Sequence, residues 1–242
     1  MTRRLLAAAL LSVLLLALAG CGAPAAPLQP LAEPEVPEDL PEVDITSWEF
    51  LLANSYNSIG WYMPEYGPIE GQGLDPRVVD AAKALMAAAR EEGYTIYMAT
   101  AFRNTQWLTN TFYNQVHYHD DDVLATVRDF LPPGASEHQT GLAIDFTDQR
   151  ANAINYDVFE DPEIFDSELY AWLVEHCAEY GFVLRYPEGK EYWYGTPCHH
   201  AHFRYVGIEA AQYMTEHNLC LEEFLVLYDP DAVFVPEHGR LD

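Results

Sequence analysis

The sequence predicts an α+β domain, a small antiparallel sheet flanked by helices. Helical and strand-like periodicities are interleaved along the chain. Its strands are joined by short or irregular connections rather than by repeated βαβ units. Half of the 242 residues are hydrophobic, and 16 Tyr, 11 Phe and 5 Trp supply a sizeable core and exclude wholesale disorder.

Each element has a local reason. Asp75-Pro76 reads as a helix start, with Asp at the N-cap and Pro at the first position. Val78, Val79, Ala82, Leu85, Met86 and Ala89 then recur at helical spacing until Gly93 stops the helix. Tyr94–Thr100 alternates as a strand, and Thr105–Val116 reads as a helix. Ser136–Gln139 leads through Gly141 into a strand, Leu142–Phe146. Ser167–Tyr180 is amphipathic, with Leu169, Trp172, Leu173 and Cys177 facing inward and Gly181 as its C-cap. Phe182–Tyr186 and His202–Val206 read as strands and Ile208–His217 as a closing helix.

Charge and the first residues bound the function. Twelve Lys+Arg against 38 Asp+Glu give a net charge of −26, which repels nucleic-acid phosphates and anionic lipid faces. Arg3 and Arg4 precede a Leu- and Ala-rich run, Leu5–Ala19, shorter than the roughly 20 apolar residues of a membrane-spanning helix. The run ends in Leu18-Ala19-Gly20-Cys21, which resembles the lipobox of bacterial lipoproteins. That resemblance implies a signal peptide over 1–20, acylation of Cys21, and an exported protein anchored by lipid to the outer face of the bacterial membrane. An ordinary signal peptide with a chance cysteine is the alternative. Residues 21–44 are rich in Pro and Glu and read as an extended, self-repelling tether. The folded domain is expected over 45–242, as a monomer.

Three spots concentrate polar residues beside strands: Ala101-Phe102-Arg103-Asn104, Ser136 through Asp145, and Cys198 through Arg204. Asp145 lies inside an apolar strand, where a carboxylate without a partner costs several kcal/mol. His138 can return towards it through the turn. One imidazole and one carboxylate make half a zinc site, and a histidine from the cluster His199, His200 and His202 would complete a catalytic layout with one open position. On a regular strand, His200 and His202 face one way and His199 the other. Taken alone, the same residues also fit a structural buried Asp and a solvated or metal-scavenging His cluster.

At this point the sequence resembles a known family. Ser136-x-His138-x-x-Gly141-x-Ala143-x-Asp145 is similar to the S-x-H-x-x-G-x-A-x-D motif of the VanY-like D-alanyl-D-alanine carboxypeptidases, zinc peptidases grouped with VanX and the L,D-carboxypeptidases. Gly181-Phe182 through Arg185-Tyr186-Pro187 resembles the family's G-F-x-x-R-Y-P. His202-Phe203-Arg204-Tyr205-Val206-Gly207 resembles its H-[FY]-R-Y-V-G. Ala101–Asn104, Asn54 through Asn57 and Leu219–Leu225 extend the likeness over roughly 50–225. The resemblance implies Zn²⁺ held by His138, Asp145 and His202, with peptidoglycan stem peptides as substrate. It puts Arg103 on the peptide's terminal carboxylate and Ser136 and Gln139 in the substrate cleft. Arg185 and Arg204 read as structural charge partners.

Two positions depart from the family. Its general base is a glutamate three residues before the last zinc histidine, and here that position is His199. An imidazole can take and return a proton, so His199 is the expected acid/base. Two other readings stand beside it: His199 or His200 as a fourth ligand closing the site, and a module that binds wall peptides without cutting them. A metal-storage role for the His cluster is a further alternative, and D,D against L,D specificity stays open. Leu108 replaces a frequent Gln. Among the cysteines, Cys177 reads as core, and a Cys198–Cys220 disulfide bracing the ligand loop is weighed against a Cys198 thiolate ligand. His117 and His119 beside Asp120-Asp121-Asp122 read as a solvated loop rather than a second cation site.

Overall fold

The computed structural model describes residues 37–148 and 167–236. The expected signal peptide over 1–20 and residues 21–36 of the expected tether, Cys21 among them, lie outside the described residues. Among those described, no helix is long and apolar enough to cross a membrane. The packed chain reaches back to Leu40 and Val43, which join the cluster around Phe50 and Phe224, and the Tyr228 hydroxyl donates to Pro41 O at 2.6 Å.

A 3₁₀ turn, Trp48–Phe50, precedes a hairpin of β1 (Gly67–Ile69) and β2 (Gln72–Leu74). Then follow α1 (Val79–Glu91), β3 (Tyr97–Thr100), α2 (Thr105–Tyr118) and α3 (Val123–Asp129). After a 3₁₀ turn at Glu137–Thr140 come β4 (Ala143–Thr147), α4 (Glu168–His176), β5 (Phe182–Tyr186) and α5 (Glu191–Tyr194). The order closes with β6 (His199–Tyr205), α6 (Ile208–Glu216) and α7 (Leu221–Val226). The main sheet has the order β3-β4-β6-β5 and is antiparallel throughout. This is the predicted mixture of helices with a small antiparallel sheet.

Several boundaries shift for identifiable reasons. Asp75 does not cap α1. Its Oδ1 accepts from Arg77 N at 3.0 Å and its carboxylate is clamped by the Arg77 guanidinium, so 76–78 form a turn and the helix starts at Val79. The expected helix over Ser167–Tyr180 is α-helical only to His176. It tightens to 3₁₀ over Cys177–Tyr180 and ends where Gly181 turns left-handed at φ +80. β6 begins at His199, three residues earlier than expected.

The sheet's two faces divide the chemistry. Met98, Ile144, Phe146, Phe182 and Phe203 join Leu85, Met86 and Leu173 in one apolar core. By strand alternation Asp145, Arg185, His202 and Arg204 face the other way, where Val183 joins a second core with Val206, Met214 and Phe224. Four charged or titratable groups on one buried face require mutual satisfaction. The loop that supplies it is built on Gly141, which sits at φ +75; a Cβ there would meet Asp75 N at 3.0 Å. Gly141 O in turn accepts from Asp75 N at 2.9 Å, which ties the loop to the start of α1.

The cysteines Cys177, Cys198 and Cys220 are free thiols. The Cys198–Cys220 bridge is therefore corrected. Cys220 is buried at the N-cap of α7, packed with Tyr186 and Tyr194, whereas Cys198 Sγ lies 3.7 Å from His200 Nε2. Cys177 is a core residue, and burial pushes its thiol pKa up to about 12.

Candidate active site

The 3₁₀ turn at Glu137–Thr140 and the paired strands β4 and β6 bring three side chains together. Asp145 lies directly across from His202 in the β4–β6 register. His138 returns from the turn as the sequence predicts. Its Nε2 is 3.2 Å from Asp145 Oδ2, and His202 Nδ1 is 2.7 Å from Asp145 Oδ1. The two imidazoles meet edge to face, with centroids 4.8 Å apart. All three residues are buried, and one ligand atom from each lies within 4.8 Å of the other two.

This donor set fits zinc. Bonds of about 2.0–2.2 Å to His nitrogen and carboxylate oxygen in a tetrahedron place ligand atoms about 3.3–3.6 Å apart; the 3.2 Å between His138 and Asp145 is close to that, and the 2.7 Å between His202 and Asp145 is a hydrogen bond that an ion would replace. The chemistry of two imidazoles and one carboxylate is that of catalytic rather than closed structural zinc sites. The electrostatics of Asp145 and His138 agree. Burial alone would raise the pKa of Asp145, but His138 and His202 outweigh it and hold the carboxylate well below its ordinary range. His138 is pushed down by burial against the pull of Asp145, so it offers a neutral nitrogen. His202 is raised, because Asp145 and then Glu137 overcome the cost of burial.

His199 differs from expectation in where it points. Phe182, Val183 and Leu184 pair residue for residue with Tyr205, Arg204 and Phe203, but Tyr186 pairs with His199. Two extra residues of β6 are taken up in this irregular stretch. The His199 ring sits 5.7 Å from that of His202 and feels Asp145, His202 and His138 electrostatically, so it lies beside the site. Burial of its ring pushes its pKa down to about 4, with Asp145 opposing. His199 is not part of the three-residue cluster. His200 instead turns towards Cys198.

A cleft of about 410 Å³ lies on the β3 side, lined by Tyr66, Gly73, Thr100, Phe102, Arg103 and Trp107. It adjoins the triad, since Thr100 pairs with Asp145 and Arg103 N donates to His138 O at 3.0 Å. The Arg103 guanidinium lies over Trp107, 4.6 Å from the ring centroid, and its Nε donates to Thr100 Oγ1 at 2.8 Å. A separate cleft of about 500 Å³, lined among others by Ser47, Trp48, Leu51 and Leu225, contains none of these groups.

Ser136 is buried at the start of the 3₁₀ turn. Gln139, expected in the substrate cleft, is not available to a substrate. It is 0% exposed, its Oε1 accepts from Gly134 N at 2.8 Å, and its Nε2 donates to Gly60 O and Tyr62 O. The amide stitches the 60–62 loop to the motif. His117, in the last turn of α2 rather than in the expected loop, lies 3.7 Å from Asp121, and both are almost fully exposed.

Sequence reasoning missed the buried acids. Glu137 Oε1 accepts from Arg185 Nε at 2.8 Å and from Arg204 at 2.7 Å. Glu222 takes both terminal nitrogens of Arg185, at 2.9 and 2.5 Å, and Asn54 Nδ2 at 2.7 Å. Burial would raise the Glu137 pKa, but Arg185 and Arg204 hold it far below the usual carboxylate range. The available signal was charge accounting: two arginines inside strands demand acids, and Glu137 stands next to a ligand histidine.

Comparison with known proteins matches these features. Residues 71–208 match the family described as VanY, D-alanyl-D-alanine carboxypeptidase. A D-alanyl-D-alanine carboxypeptidase of Enterococcus faecalis (strain ATCC 700802 / V583) is 32% identical over 191 residues, 75% of this chain and 67% of the relative. A mutant vancomycin-resistance D,D-pentapeptidase VanY, solved in complex with Zn(II), superposes with TM-score 0.62 at 30% identity, over 74% of this chain and 99% of that one. The LD-carboxypeptidase LdcB superposes with TM-score 0.57 at 27% identity, over 73% and 79% of the two chains.

Proposed function

Because this chain belongs to the VanY family of D-alanyl-D-alanine carboxypeptidases, we propose that it is a zinc-dependent carboxypeptidase acting on peptidoglycan stem peptides. The observation that carries the reading is the convergence of His138, Asp145 and His202 on one buried point, with His199 beside that point and outside the ligand set. These three residues would hold the ion. When bound, zinc supplies Lewis-acid polarisation of a carbonyl and acidifies water at neutral pH.

The chain's own groups do the rest. His199, neutral at pH 7, accepts the proton of the attacking water and delivers it to the leaving nitrogen as the C–N bond breaks. It stands where the family has a glutamate, beside the ring of His202. Arg103 lines the cleft next to the triad, and its planar guanidinium suits the terminal carboxylate of a peptide, which favours removal of a terminal residue over internal cleavage. Ser136 borders the site from the same turn as His138. The lipobox-like Leu18–Cys21 supports work at the outer face of the membrane, where stem peptides are found.

Zinc-loaded protein incubated with a pentapeptide ending in D-Ala-D-Ala is expected to release one alanine, read as a mass loss. Trimming of a tetrapeptide but not the pentapeptide would replace D,D by L,D specificity. An unchanged pair of peptides with zinc bound would make the protein a wall-binding module.

A further inference from the structure

Among the buried polar atoms without a hydrogen-bond partner in the described residues are Glu137 Oε2 and His202 Nε2, with His138 Nδ1 and Tyr186 Oη close by. The first two face each other at 3.7 Å. His202 presents Nδ1 to Asp145 and Nε2 to Glu137, so its two ring nitrogens look at different carboxylates. The ring has little freedom to exchange them, because Tyr186 lies over it at 5.0 Å and 36° and His138 packs against its edge. Glu137 is equally fixed, since its Oε1 is held by Arg185 and Arg204 and only Oε2 is turned towards His202.

We propose that Glu137 is a positioning residue for the metal site: in the metal-loaded protein its Oε2 closes the present 3.7 Å gap, accepts the Nε2 proton of His202 and thereby commits Nδ1 to the ion. An imidazole ligand is oriented and made more basic when its second nitrogen donates to a carboxylate, and loss of such a partner typically costs about 10–100-fold in metal affinity. The buried acid thus has two jobs on its two oxygens. Oε1 neutralises the arginine pair under the sheet, and Oε2 sets the tautomer of a ligand. The inference rests on the zinc reading given above.

Glu137→Gln separates the two jobs. The arginines are donors only, so the amide must turn its oxygen to them and its NH₂ to His202. The acceptor for the arginines persists, although its charge is lost and some stability with it, while the acceptor facing Nε2 becomes a donor. Chelator-competition titration with zinc alone is expected to show about 10–100-fold weaker binding in Glu137→Gln than in wild type, at unchanged far-UV circular dichroism. Equal affinities in two folded proteins would overturn the role. In zinc-loaded wild type, nitrogen-15 spectra of the His202 ring are expected to show an Nε2 proton protected from exchange with solvent, which tests the role even if the variant does not fold. A freely exchanging proton there would overturn it. A wild type that takes up no zinc would sink the metal reading itself, and this inference with it.

Discussion

Arg185→Ala is expected to destabilise the fold by about 3–5 kcal/mol, a large part of the 5–15 kcal/mol typical of a domain. Arg185 is fully buried and spans two carboxylates, Glu137 through Nε and Glu222 through both terminal nitrogens. Its removal leaves Glu222 with Asn54 and Glu137 with Arg204 inside a low-dielectric core, and uncompensated buried charge is the costly outcome. Lysine is no substitute, because one ammonium cannot span two carboxylates in a planar fork. The acid limb should move as well. The folded-state pKa of Glu137 is depressed, so its contribution is complete above the unfolded value of about 4.3 and is lost as pH falls through the folded value. Without Arg185 that folded value rises, so acid unfolding should begin at a higher pH than in wild type. Urea and acid titrations check both; coincident curves would show that the network does not hold the sheet's buried face together.

His199→Ala is expected to lower turnover of a D-Ala-D-Ala pentapeptide about 10²–10⁴-fold while one zinc per chain stays bound. His199 stands outside the three-residue cluster, so its loss leaves the ligands in place. Steady-state kinetics with metal analysis separates the outcomes. Turnover that survives would assign the proton transfer to another group. Loss of zinc together with activity would make His199 a ligand and the site a closed one.

The parts of the site written in local pattern were legible in the sequence. The turn glycine Gly141, the strand carrying Asp145 and the histidine preceding them sit within ten residues, and the strand that returns with His202 carries its own alternation. Orientation of His199 was not legible, because side-chain parity assumes a regular strand and the irregular register between Leu184 and Tyr186 leaves no mark in the residue types. Gln139 was misjudged since nothing in the motif reveals that the 60–62 backbone lies against it. Glu137 and Glu222 were missed for a related reason: their arginine partners are 37 to 67 residues away in sequence, and long-range charge pairing has no periodic signal. The thiols were no more legible: a bridge bracing the ligand loop was one option, but Cys220 is taken up by the start of α7 and both cysteines are free.

Anomalous diffraction at the zinc edge from a zinc-soaked crystal tests the central claim most directly. One peak is expected, within bonding distance of His138, Asp145 and His202, with the His199 ring beyond bonding distance and a coordination position open to the cleft beside Arg103. A peak with His199 as a fourth protein ligand, a peak at Cys198 and His200 instead, or no peak at the triad would contradict it.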